Sequence, residues 1–378
     1  IVMFELTFLG TSAGVPTKYR NVTGLAVTAK NPFAKSQDKN SPWLLIDCGE
    51  GTQHQILHTP LSLLQLRAIC ITHVHGDHCY GLAGVLASMA MGGRTAPLTL
   101  IAPQAIGKLL DTLTLTTELY FPYAIEFIAI ESLKQGSLQQ TNSEKVALEN
   151  TASTIEKFSP VILTLNDNHQ IKIDIIALSH RTPSHAFKLT QTIYHNQLNT
   201  EKLRAMNLPP SAIWGKLQAG NDVKLENGDT LTANAFVTSI TENLSIIVAG
   251  DNDTPELMAD FVEGVSLIVH EATYTTAIEH KILARDGEFN PMHCSAERIA
   301  IFAQKYHVPN LILSHFSGRY QPFNDVNEKT PNMGQIDAEV QRYFYGNYWL
   351  ANDFDKFVVE SETVKLGGHL KIATKDSR

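Results

Sequence analysis

Apolar residues in the first fifth of the chain come in short runs broken by turn signals. Phe4 to Leu9, Gly24 to Ala29 and Trp43 to Asp47 each read as strands, and the last two bracket a polar stretch from Lys30 to Pro42. This pattern predicts a strand meander carrying a surface insert over 30–42. Ala68 to Thr72 reads as a buried strand, and the small-residue run from Gly76 to Met91 predicts a helix packed closely on a sheet. Strand and helix then alternate, with Leu98 to Ile101 extended and Pro103 to Leu115 helical, which is α/β patterning. A polar stretch from Glu131 to Asn168 predicts a second surface insert over 131–168. Strands resume at Ile171, and the pattern breaks again after His185. Leu198 to Pro210 is amphipathic and then proline-rich, and Trp214 to Gly228 reads as a turn and hairpin, so 188–232 is expected to project from the body. Strands return at Ser245 to Ala249, Leu267 to Val269 and Leu311 to Leu313, with a helix near Ser295 to Tyr306. The tail from 357 to 375 reads as an extra hairpin. With no repeat, heptad array or low-complexity tract, a single domain over 1–378 is expected.

Composition narrows the function classes. A chain of 378 residues with 43% hydrophobic and 18% charged residues is globular, neither mainly disordered nor a coiled coil. Its apolar stretches, such as Leu82 to Met91, fall short of the ~18 to 20 residues of a bilayer span, so no membrane partner is expected. The net charge of −8 means that a polyanion must be met by a local basic patch or by metal ions. Cys48, Cys70, Cys79 and Cys294 show no Cys-x-x-Cys spacing, which argues against a disulfide framework or zinc knuckle. The N-terminal run has no signal-peptide pattern, and a cytoplasmic location is the expectation.

Candidate chemistry is concentrated at strand ends. His73-Val74-His75-Gly76-Asp77-His78 puts four potential ligands into one strand-to-helix turn, a donor set suited to Zn²⁺ or a similar ion. His180, Asp251 and His315 each follow a predicted strand, and ligands from separate strand ends converge at one edge of an α/β sheet. These donors exceed what one tetrahedral ion uses. Two metals are therefore expected, roughly 3.5 to 4 Å apart and bridged by Asp251 and a water. If the centre hydrolyses a phosphodiester, as the family resemblance given next implies, it needs a hydroxide nucleophile, neutralisation of phosphoryl charge and help for the leaving oxygen. Two metals supply the first two. An imidazolium such as His293, just before the predicted helix at Ser295, supplies the third.

The pattern His73-x-His75-x-Asp77-His78 with His180, Asp251 and His315 resembles the metallo-β-lactamase superfamily and, within it, the ribonuclease Z family of tRNA 3′-processing endonucleases. Phe8-Leu9-Gly10-Thr11-Ser12-Ala13-Gly14-Val15-Pro16-Thr17-Lys18-Tyr19-Arg20-Asn21 is similar to that family's opening loop. Asp47-Cys48-Gly49-Glu50-Gly51-Thr52-Gln53, His270-Glu271-Ala272-Thr273 and His293-Cys294-Ser295 are similar to further landmarks. The resemblance covers most of 4–355, inserts excepted. It implies an αββα sandwich of two mixed sheets flanked by helices, with a protruding arm. It also implies two zinc ions per subunit, Mn²⁺ being another option. His73, His75 and His180 would hold one ion, Asp77, His78 and His315 the other, and Asp251 would bridge, with Asp47 buttressing the site. Asp77 would be the general base. His293, helped by Glu271, would serve the phosphate and leaving oxygen, with His270 a neighbour among the catalytic group.

Lys18, Arg20 and Asn21 would contact the RNA 3′ side. The excursion would be the arm that clamps the tRNA. From Lys188 to Lys216 its Lys188, Lys202, Arg204 and Lys216 face Glu201 alone, so Lys202, Arg204 and Lys216 are candidate RNA contacts. Leu208-Pro209-Pro210-Ser211-Ala212-Ile213-Trp214 is similar to the arm's proline-rich signature, with Ser211-Ala212 where Gly-Pro is usual. Arg319 and Tyr320 also sit in a familiar stretch; pairing of Arg319 with a carboxylate and contact with substrate stay open. The implied function is removal of 3′ trailers from precursor tRNA by a homodimer. The alternatives are a small-molecule phosphodiesterase or related hydrolase of the same superfamily, which would need no arm, and a non-catalytic binding relative.

Overall fold

Met3–Gly10 turns Phe4, Leu6 and Phe8 to one side and Leu9 to the other, and both sides are buried, which is why this strand reads as a nearly continuous apolar run. The protein is described here by a computed structural model covering residues 2–33, 41–135, 156–285, 290–361 and 363–369. Met3–Gly10 pairs antiparallel with Gly24–Lys30, which pairs with Trp43–Ile46. The parallel strands Leu66–Cys70, Leu98–Ala102 and Ile125–Ala129 extend this sheet on one side. Asp355–Val359 and Val364–His369 extend it on the other, giving eight strands.

The second sheet has seven strands, in the order Asn347–Leu350, Asn310–Ser314, Leu267–Glu271, Val237–Ala249, Ser184–Leu198, His169–Leu178 and Val161–Asn166. Its first four run parallel and the others antiparallel. Phe4, Leu6 and Val27 from one sheet meet Ile173, Phe187 and Ile246 from the other in a shared core. Helix Leu82–Met91 places Leu82, Val85, Leu86 and Met89 on one face, and with Gln104–Thr117 it covers the outside of the first sheet. Ala296–Lys305 and Met333–Tyr343 cover the second through Ile299, Phe302, Ile336 and Val340. The expected αββα sandwich is the observed architecture.

Three local expectations change. The predicted helix over 76–91 is split into Gly76–Cys79 and Leu82–Met91, because the chain at Gly81 runs against the backbone of Gly49. A Cβ at Gly81 would lie 2.1 Å from the Gly49 carbonyl oxygen, so only glycine permits this approach. The polar stretch over 131–168 ends in strand Val161–Asn166 at the sheet edge; 136–155, like 34–40 of the 30–42 stretch and 370–375 of the tail, lies outside the described residues. Trp214 belongs to helix Ala212–Gln218 and not to a hairpin. Ser211 starts that helix by accepting from the Ile213 amide at 3.3 Å, and the hairpin comes later, at Val223–Lys224 and Thr230–Leu231.

Ser184–Leu198 and Val237–Ala249 form a long antiparallel ribbon from Ala186 opposite Ala249 to Leu198 opposite Val237. Its far end carries a small module over 199–236 with its own apolar core of Leu203, Leu217, Val223, Leu231 and Phe236. This core is separate from those of the sandwich. Leu217→Ala is expected to cost about 2 to 5 kcal/mol of local stability. Hydrogen exchange should then quicken across 199–236 and stay unchanged in Met3–Gly10; equal acceleration in both would show that the module does not open independently.

Candidate metal centre and active site

Five strands end at one edge of the sandwich. His73 follows Leu66–Cys70, His180 follows His169–Leu178, Asp251 follows Val237–Ala249, Glu271 ends Leu267–Glu271, and His315 follows Asn310–Ser314. The structure brings all the predicted donors together there. Ligating atoms of His73, His75, His180 and Asp251 lie within 4.8 Å of one another, and so do those of Asp77, His78 and His315. Asp251 stands between the groups, with Oδ2 3.6 Å from His73 and 3.5 Å from His180, and Oδ1 3.3 Å from both His78 and His315.

Ring nitrogens face each other across this centre at 3.2 Å: His73 Nε2 to His75 Nδ1, His180 Nε2 to the same Nδ1, and His78 Nε2 to His315 Nε2. In a neutral imidazole whose outer nitrogen donates, the inner nitrogen carries a lone pair, so the facing Nε2 atoms of His78 and His315 gain nothing from each other in that form. A divalent cation between them is what satisfies their lone pairs. The outer nitrogens are held in place: His73 Nδ1 by Thr72 Oγ1 at 3.0 Å, His78 Nδ1 by Asp47 Oδ2 at 2.7 Å, His180 Nδ1 by the Met292 carbonyl at 2.8 Å, and His315 Nδ1 by Thr273 Oγ1 at 3.0 Å. Partners of this kind fix tautomer and ring orientation in metal-binding histidines. The residues present therefore fit two metal ions.

Three of these features cost backbone strain. Asp47, Met292 and His315 have φ of 58°, 54° and 56° in the left-handed region. The Asp47 turn is fixed by its carboxylate, which accepts from the Thr72 amide at 2.8 Å and the Thr72 hydroxyl at 2.9 Å as well as meeting His78. Gly49 makes this possible, since a Cβ there would lie 2.2 Å from the Asp77 carbonyl oxygen.

Charge in the centre is polarised. Burial pushes the His73 imidazole well below the ordinary histidine range, whereas at His78 the nearby Asp251, Asp47 and Asp77 outweigh burial and hold it well above. Burial also opposes the Asp251 carboxylate, yet His315, His78 and His73 keep it well below the usual carboxylate range. Asp77 is likewise lowered against burial, by His78 and His315, and its Oδ2 accepts from the Gly14 amide at 2.7 Å.

His293 stands at the rim, with 16% of its side chain exposed. Its Nδ1 lies 3.0 Å from Glu271 Oε2 and 3.6 Å from Asp251 Oδ2. Burial disfavours its charged form, but Glu271 and Asp251 raise its pKa to about 9. Glu271 is buried and also accepts from the Asn252 amide at 2.6 Å and from the Thr273 hydroxyl. The pair can present a protonated imidazole to an anion at the rim.

Other expected residues sit differently. His270, expected among the catalytic group, is buried, with Nδ1 on the Glu271 carbonyl at 2.8 Å and Nε2 on Asn252 Nδ2 at 3.1 Å; both nitrogens are used inside the fold. Arg20, expected to contact RNA, is also buried. Its guanidinium donates to Thr11 Oγ1 and the Ala351 carbonyl, both at 2.7 Å, and to Asn352 Oδ1 at 3.2 Å. It braces the opening loop and does not face solvent. Asn21 Nδ2 donates to the Glu50 carbonyl at 2.9 Å, and Lys18 is exposed. On the arm, Lys202 Nζ donates to the Ala235 carbonyl at 2.9 Å, Arg204 lies over Trp214, and Lys216 is exposed. Arg319 stacks over Tyr274 at 5.7 Å, and Tyr320 OH accepts from the Thr275 amide at 2.7 Å.

The reading above missed Thr72, Thr273 and Asp353. Asp353 accepts from Thr11 Oγ1 at 2.7 Å and the Asn21 amide at 2.6 Å, anchoring the opening loop. Its only signal is an acid between apolar strands.

With this geometry in view, likeness to known proteins becomes decisive. A ribonuclease Z from Marinobacter nauticus is 40% identical over 95% of this chain and 97% of its own length. One from Pseudomonas putida strain GB-1 is 37% identical over 93% and 96%. The chain belongs to the ribonuclease Z family. It is thereby a metal-dependent phosphodiester hydrolase of the endoribonuclease class. The family model described as Anti-Pycsar protein Apyc1 matches residues 4–205, so the chain belongs to that family as well. Human short-form tRNase Z shares the fold, with a TM-score of 0.53 and 20% identity over 93% of this chain and 98% of that one.

Asp47→Ala removes the support of His78 and the turn at Thr72. The expected outcome is affinity for a divalent metal ion weakened about 10- to 100-fold in a chelator competition, with the far-ultraviolet spectrum preserved. Unchanged affinity would show that Asp47 does not orient the ligands.

Proposed function

We propose that this ribonuclease Z family member is a two-zinc endoribonuclease that removes the 3′ trailer from precursor tRNAs, working as a cytoplasmic homodimer. The observation that carries this reading is the convergence of two donor groups on Asp251 beside the His293–Glu271 pair. The names of its relatives, ribonuclease Z and tRNase Z, supply the substrate class.

His73, His75 and His180 would hold one ion, and Asp77, His78 and His315 the other, with Asp251 shared. Bound zinc supplies charge neutralisation at a phosphate and a lowered pKa for water. The chain's own residues then divide the work. Asp77, kept anionic by His78 and His315, accepts the proton of the attacking water. His293, kept protonated by Glu271 and Asp251, faces the phosphate and donates to the departing ribose oxygen. Glu271, with its donors Asn252 and Thr273, fixes the His293 ring. Lys18 and Asn21 border the opening loop where the RNA 3′ side would pass, and Lys202, Arg204 and Lys216 carry the cationic face of the arm.

The test is a labelled precursor tRNA incubated with and without chelator, with the new 3′ end mapped. Cleavage just after the discriminator nucleotide, abolished by chelator, is the expected result. Cleavage elsewhere, or none beside hydrolysis of a small phosphodiester, would remove the tRNA reading. His293→Ala should lower kcat on that substrate about 100-fold or more with zinc content unchanged, while wild-type turnover would exclude it as the acid. Deleting 199–219 should raise KM for precursor tRNA far more than for a small phosphodiester; equal changes would make the arm a structural element.

A further inference from the structure

His293 lies in the connection between helices Thr276–Arg285 and Ala296–Lys305. The segment that carries His293 into the second helix runs beside the one that leads from Glu271 into the first. On one side they are zipped together: the Thr273 amide donates to the Cys294 carbonyl at 3.1 Å, the Ala296 amide to the Tyr274 carbonyl at 2.8 Å, and Thr276 Oγ1 to Ser295 Oγ at 3.2 Å. At the end of this zipper stands a carboxylate from a third helix. Glu339, in Met333–Tyr343, accepts from the Thr276 amide with Oε1 at 3.0 Å and Oε2 at 3.1 Å, and from the Glu297 amide with Oε2 at 3.1 Å. One side chain caps the first turns of both helices.

We propose that Glu339 is a positioning residue for the reaction: by bridging the two helix N-termini it fixes the segment that carries His293. This inference rests on the role given to His293 above. Capping alone does not account for the choice of residue. Burial, then the nearby Glu297 and Glu279, push the Glu339 carboxyl up to about 7, while the two amide hydrogen bonds work the other way. Arg298 is already paired with Glu279 at 3.2 Å. An acidic side chain is therefore retained where its charge is costly, and what it provides is acceptor oxygens that reach both helices. Oε2 meets both helix ends and Oε1 gives the Thr276 amide a second acceptor, so a glutamine that keeps its oxygen at the shared position turns its amide nitrogen against the Thr276 N–H. Oriented N–H groups at helix starts favour this anion. A small displacement of a catalytic side chain is enough to slow turnover greatly.

The experiment is a double-mutant cycle on precursor tRNA cleavage, using the zinc-loaded full chain. Glu339→Gln should lower kcat about 10- to 100-fold with KM changed less than about twofold. In a His293→Ala background the same substitution should cost nothing further, because its effect passes through His293. Amide exchange at Thr276 should rise in Glu339→Gln, a readout independent of catalysis. Glu339→Asp keeps the charge but lacks one methylene; it should fold and show an intermediate kcat, which keeps the test open should the glutamine variant not fold. Additive losses in the cycle, or a Glu339→Gln kcat equal to wild type, would overturn the inference. An active His293→Ala protein would instead overturn the role of His293 on which it rests.

Discussion

Imidazoles whose outer nitrogens hold the protons point lone pairs at one another in a buried space, and those lone pairs cannot satisfy each other. In this protein they are forced into that arrangement from behind. Thr72, Asp47, the Met292 carbonyl and Thr273 each hold the outer nitrogen of one histidine, and each comes from a different turn at the sheet edge. The sandwich can be understood as the scaffold for these four contacts. Two sheets bury a shared core, so their strand ends meet at fixed separation, and the turns between them can carry strain at Asp47, Met292 and His315 that a looser fold would release.

The same constraint organises the opening loop. The Gly14 amide reaches Asp77, Asp353 binds both Thr11 and the Asn21 amide, and Arg20 ties Thr11 to the chain at Ala351 and Asn352. A loop that looks basic and exposed is thus pinned to the centre by its polar groups. Lys18 is its exposed cation beside Tyr19. The long ribbon carries the cationic side chains of Lys202, Arg204 and Lys216 away from this edge, in a module with a separate core.

The converging donors were legible because their chemistry is local: four within His73 to His78, and three more each directly after an apolar strand. Partners distant in sequence were not. Nothing near Arg20 shows that Ala351 and Asn352 fold over it, and an arginine in a Gly/Pro loop reads as solvated. His270 precedes Glu271 directly, but the strand alternates its side chains, so His270 turns to Asn252 while Glu271 turns to His293. Glu339 reads as an ordinary helix-surface acid until two other helices present their first turns to it. The hairpin expected at Trp214 failed for a local reason. Pro209-Pro210-Ser211 is a helix start, with Ser211 as its cap.

The account stands on two ions sharing Asp251, and the most direct measurement is an anomalous difference map at the zinc edge from crystals of the zinc-loaded protein. It predicts two peaks, one among His73, His75 and His180 and the other among Asp77, His78 and His315, each within coordination distance of Asp251. A single peak, or density that leaves His180 or His315 outside coordination, would contradict it.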